Sequence, residues 1–183
     1  MENRSARLLW LISGALVALI GCAEAEPVPP AVLTQRQLSD PQAVSQWLRE
    51  NPGGVDAKGA AFAYDEGQKY KSRNDWSAAA KSFGESAIRY PTPQVLTEYV
   101  TAILRMLGEI RARKGATSLG IEGDMNFALL QYQSVMAADD VLDSLTEHEK
   151  KLVQANIACL GNFLKSRQVA GDCQPLLDYG IQP

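Results

Sequence analysis

Three cysteines and a single histidine are the side chains of this 183-residue chain best suited to covalent, metal or acid–base chemistry. The arrangements such chemistry needs are missing around them. There is no GxSxG nucleophile turn, no HExxH helix, no phosphate-binding glycine loop and no CxxC pair. His148 stands among Glu147, Glu149 and Lys150 in what reads as the first turn of a helix, where a solvated imidazole is expected rather than a base. Cys159, Cys173 and that distant histidine are too few to ligate a metal. Asp139, Asp140 and Asp143 gather at a helix end, but their spacing is not that of a calcium loop, and a solvated acidic end is expected. Arg105, Arg111, Arg113 and Lys114 run toward a helix C-terminus, where cations suit the helix dipole. They are too few to argue for nucleic acid. No catalytic residue, metal or cofactor is assigned. A hydrolytic enzyme built on the acidic residues is the weakest reading, because no nucleophile–base set accompanies them.

Cys22 has a different setting. Arg4 and Arg7 precede an apolar run from Leu8 to Ile20, which closes as Leu19-Ile20-Gly21-Cys22. A spanning helix needs about 20 apolar residues; this run is shorter, and Ser13 and Gly14 interrupt it. Ala23-Glu24-Ala25 fits an ordinary secretory cleavage site loosely but lies beyond the cysteine. The layout resembles a bacterial lipoprotein signal peptide with its lipobox. That resemblance implies removal of residues 1–21 and lipidation of Cys22 with a diacylglyceryl group and an amide-linked chain. Several chains on one residue anchor stably where one does not. Ala23, rather than Asp, after the cysteine implies, by resemblance to enterobacterial sorting, passage to the outer membrane facing the periplasm. Losing Glu2, Arg4 and Arg7 leaves the mature chain one unit more acidic than the formal −3 of the whole, against a strong electrostatic claim on nucleic acid or anionic lipid. In an oxidising compartment the remaining even pair, Cys159 and Cys173, reads as a disulfide; two separate buried thiols are the alternative.

The elements that must position these residues are helical. Residues 22–38, with Pro27, Pro29 and Pro30, read as an extended tether, and 39–183 as one helical domain. Ser39 or Asp40 caps a short first helix opened by Pro41 and ended by Asn51-Pro52-Gly53-Gly54, with Val44, Trp47 and Leu48 on one face. Residues 60–73 and 76–89 form a helix pair joined at Asn74-Asp75. Residues 93–114 carry a broad apolar stripe from Val95 and Leu96 to Leu107 and Ile110. A glycine-bearing loop at 115–123 leads to a helix near 124–142, with Phe127, Leu130, Ser134, Val135, Ala138 and Val141 on its inner side. Thr146-x-x-Glu149 is a capping box opening a last helix near 147–167, with Leu152, Ala155, Cys159 and Phe163 inward. Gly171-Asp172-Cys173 then turns the tail back, laying Leu176, Leu177 and Tyr179 against the outer surface of that helix. The fold class is all-α.

Within this layout, Gly67, Tyr70, Ala79, Phe83 and Pro91 fall at the spacing of a tetratricopeptide repeat, a helix–turn–helix unit of about 34 residues. Residues 60–93 resemble one such repeat, and the segment from 94 a degenerate second. Gly67 and Ala79 would let two helices cross closely, Tyr70 and Phe83 would fill the space around them, and Pro91 would punctuate. The pattern departs at Ala63, Glu66 and Ser86, and three or more repeats are normally needed for a solenoid. The resemblance implies that the inner face of each first helix binds a partner peptide. That face maps to Tyr64, Gln68 and Lys71, and to Glu98, Ala102 and Arg105. An ordinary solvated face is the competing reading. The function expected is a non-enzymatic, lipid-anchored adaptor holding a protein or peptide partner at an envelope membrane. The second expectation is a structural envelope protein that oligomerises or packs in a complex without a groove.

Overall fold

Polar caps decide where the helices begin. The computed structural model describes residues 32–114, 120–169 and 172–182; Cys22, the expected signal peptide and most of the expected tether lie outside the described residues. Asp40 accepts hydrogen bonds from the Gln42 and Ala43 amides to open α1 (Pro41–Glu50), with proline in the first turn. Asp56 accepts from Gly59 at the head of α2 (Ala57–Ser72), and Asp75 from Ala78 at the head of α3 (Trp76–Arg89). Between α2 and α3 the chain turns at Asn74, whose φ of 56° lies in the left-handed region that a short polar side chain tolerates. α4 (Pro93–Lys114) and α5 (Ile121–Leu142) follow. The capping box at Thr146 and Glu149 is present at the start of α6 (Glu147–Ser166). A 3-10 turn at Gln37–Ser39 precedes the array, and a five-residue α7 (Gln174–Asp178) ends it. Among the described residues every regular element is helical.

Helices adjacent in sequence pack on one another: α2 on α3, α3 on α4, α4 on α5 and α5 on α6. α1 does not continue this succession. It crosses to α5, burying Val44, Trp47 and Leu48 as their common face requires. The α2–α3 crossing is close because a Cβ at Gly67 would stand 2.5 Å from the Phe83 ring, which is wholly buried. Tyr64 packs on the same ring at 5.6 Å between centroids. The buried Ser86 hydroxyl donates to the Ala60 carbonyl at 2.8 Å and joins the two helices at their other end.

Several sequence expectations about these elements differ from the structure. The tether does not reach residue 38, because Leu33 and Leu38 are buried in the core and the Leu33 amide donates to the Ile88 carbonyl at 2.9 Å. The inner face of α6 is Val153, Leu160 and Phe163; Ala155 is exposed, Cys159 is half-buried, and Leu152 is 52% exposed. α5 starts at Ile121, three residues into the expected glycine loop. It is covered by α1, α4 and α6 together, so its buried surface wraps round to Met125, Ala128 and Tyr132, leaving Phe127 and Leu130 half-buried. The tail lies against α4 as well as α6. The Tyr179 carbonyl is so close to Gly108 that a Cβ there would be 2.8 Å away, while Leu177 stays 38% exposed.

Candidate partner-binding cleft

The helix array leaves a gap between α4 and α6. Gln94, Thr97, Glu98, Thr101 and Arg105 form one stripe along α4 and face Glu149, Leu152, Val153 and Asn156 across a cleft of about 500 Å³. Their spacings of three and four residues place them on a single helical face. Tyr64 of α2 stands at one side, and Gln174 and Asp178 of α7 close the end beside Arg105. Tyr132 of α5 forms the floor. Burial pushes its phenol pKa well up, against the lowering influence of the neighbouring Thr101 and Asn156 side chains. Thr101 and Asn156 belong to opposite walls, one on α4 and one on α6.

The charged groups of the cleft are partnered within the protein. Lys71 contacts both Glu98 carboxylate oxygens at 2.7 Å, and the Gln68 side-chain amide donates to Glu98 at 3.2 Å. Arg105 bonds Asp178 at 2.8 Å and lies over the Trp76 ring, 4.7 Å from its centroid. The Asp178 side chain is only 4% exposed and also accepts from Gln174 at 2.9 Å. An uncompensated carboxylate at that depth would be costly, so the Arg105 contact is a condition of α7 seating there. The tail is further held by the Tyr179 hydroxyl donating to Asp124, by Arg111 over the Tyr179 ring, and by Cys159 and Cys173, whose sulfurs stand at disulfide distance with Cα atoms 5.7 Å apart. Burial and the Asp124 contact push the Tyr179 phenol up to about 12, so it remains a donor.

Of the residues singled out in the sequence, Tyr64, Glu98 and Arg105 line the cleft, and Gln68 and Lys71 reach it through Glu98. Ala102 does not: it is 1% exposed and belongs to the core. Gly67, Ala79, Phe83 and Pro91 are buried and Tyr70 is half-buried. Thr97, Thr101, Tyr132, Leu152, Asn156 and Asp178 were not anticipated. The α4 threonines could have been found by extending the face of Glu98 by single turns; nothing local marks Asp178. Asp139 was misread as part of a solvated acidic end. It is buried, accepts from the Ser144 and Leu145 amides at 2.9 and 2.8 Å, and pairs with Lys150 at 3.1 Å, fixing the turn that places Leu145 at the cleft. His148 is exposed. Comparison with protein-family models, with curated proteins and with solved structures finds no match to this chain.

Proposed function

We propose that the protein is a lipid-anchored, non-enzymatic adaptor of a bacterial envelope, holding a partner protein in the cleft between α4 and α6. The cleft is the observation that carries this reading. Its two walls come from α4 and α6, with Tyr64 of α2 beside them, as expected if successive hairpins stack with their first helices inward, in the manner of tetratricopeptide repeats; Tyr132 of α5 and the α7 pair Gln174 and Asp178 complete the lining. Exposed Leu152 opposite half-buried Tyr64 supplies apolar grip, and the threonines and Asn156 supply polar positioning, the mixture typical of recognition sites. The anchor in this proposal is lipidated Cys22. Because the fold takes up the chain at Leu33, the segment between can span at most roughly 35–40 Å, which keeps the cleft close to the membrane.

A photoactivatable amino acid at Thr101 tests the cleft in intact cells. Crosslinking to one partner from Thr101, and none from the same residue placed at exposed Asp140, is the expected outcome. Equal labelling at both positions, or none at Thr101, would count against the reading. Metabolic labelling with a fatty-acid analogue tests the anchor separately: Cys22→Ser should abolish the label. The second reading, packing into a larger assembly, is favoured by the outer face of α2. There Phe62 is 69% exposed, and only Ala60 and Gly67 of the helix are fully buried.

A further inference from the structure

We propose that the segment received by the cleft is an extended stretch of partner polypeptide bearing a lysine or arginine side chain. This rests on the adaptor reading and names the chemistry of its ligand. The shape comes first. From Gln94 to Arg105 the lined face of α4 runs roughly 16 Å, at 1.5 Å per helical residue. About five extended residues cover that distance. α7 blocks the Arg105 end with Gln174 and Asp178, so a segment lies along the cleft toward the start of α4 and α6.

The charges come second. Three carboxylates, those of Glu98, Glu149 and Asp178, line the cleft against one guanidinium, Arg105. Arg105 is committed to the wall, bonded to Asp178 and stacked on Trp76. Lys71 at the rim offsets Glu98 but leaves the group acidic. A carboxylate accepts about four hydrogen bonds. Glu98 therefore keeps acceptor capacity beyond Lys71 and Gln68, and Glu149 keeps it beyond the Thr146 cap. Lysine and arginine heads are donors only, and their stems are apolar. They match acceptor groups set beside Tyr64, Leu145, Leu152 and Val153. A ligand aspartate or glutamate would meet like charge.

The test uses the full-length protein in detergent micelles and an array of end-blocked random hexapeptides. Retained peptides should be enriched in lysine and arginine and should be lost in Thr101→Trp, which fills the cleft. Leu152 is exposed, so charge placed there leaves the core untouched. Leu152→Lys should weaken the best peptide and Leu152→Glu tighten it, each by roughly threefold to fivefold, the scale of a partly exposed ion pair. Retention that depends on Thr101 but selects acidic or uncharged peptides, or is indifferent to charge at Leu152, overturns this inference and leaves the adaptor reading standing. Absence of any peptide lost with Thr101→Trp or altered by the Leu152 pair overturns both.

Discussion

Gly67→Ala measures how tightly α2 crosses α3. Two effects oppose each other at this site. Replacing a glycine inside a helix by alanine is worth about 1 kcal/mol through backbone entropy and propensity. The new methyl, however, would stand 2.5 Å from Phe83 Cε1 and 2.6 Å from Cδ1, well inside contact distance. Phe83 has no exposed surface to retreat into, and Tyr64 packs against its ring. Overpacking of this kind costs about 1–3 kcal/mol. The net expectation runs from no change to a loss of about 2 kcal/mol, the difference of the two figures. Gly161→Ala supplies the reference. Gly161 lies inside α6 with nothing within 4 Å of a built Cβ, so only the favourable effect operates. Gly161→Ala should raise the melting temperature and Gly67→Ala should not. The gap between them should be about 2–12 °C, taking 2–4 °C per kcal/mol for a domain of this size. Thermal denaturation by circular dichroism reads both. Equal stabilisation by the two substitutions would mean that Phe83 does not lie over Gly67, and the close-crossing argument would fall with it.

Two further predictions concern the chain beyond the first hairpin. Cys173→Ser should lower unfolding stability by roughly 3 kcal/mol in urea, because the Cys159–Cys173 link spans 14 residues and a loop near that length is worth about this much. Thiol alkylation of unreduced, denatured protein followed by mass measurement should label neither cysteine; two labelled thiols would refute the bridge. Asp139 predicts an acid-sensitive term. Burial alone would raise its carboxyl, but the Leu145 amide, Lys150 and the Ser144 amide outweigh it and hold the pKa below the ordinary value. A depressed carboxyl contributes stability that is full above the unfolded pKa of about 4 and lost as pH falls through the folded value. Asp139→Asn should therefore destabilise the protein at neutral pH and flatten the stability loss below about pH 4; parallel pH curves for the two proteins would contradict this.

The sequence was most legible where caps and hydrophobic period agree. Asp40, one of the two caps offered before α1, and the Thr146–Glu149 box before α6 marked real helix starts, and Val44, Trp47 and Leu48 were read correctly as one buried face. It was least legible where burial depends on distant parts of the chain. Leu33 is core only because Ile88 and its surroundings receive it, and a proline-rich approach gave no hint of that. Asp139 is buried only because the next turn folds its amides back onto the carboxylate, whereas a run of aspartates looks solvated by composition alone.

Leu152 is the misreading with the most content. Its period with Phe163 argued for the core, yet it stands exposed on the cleft wall facing α4. The apolar period of α6 is wider than the surface its neighbours cover, since α5 packs along it while α7 meets α4 and α6 only at one end. A leucine kept on the uncovered side costs burial that a polar residue at the same position would not forgo. Violations of local pattern tend to fall at functional positions. Here the violation coincides with the cleft, whose floor is the buried Tyr132. The residue that misled the periodicity argument is thus the one at which a charge substitution most directly tests what the cleft binds.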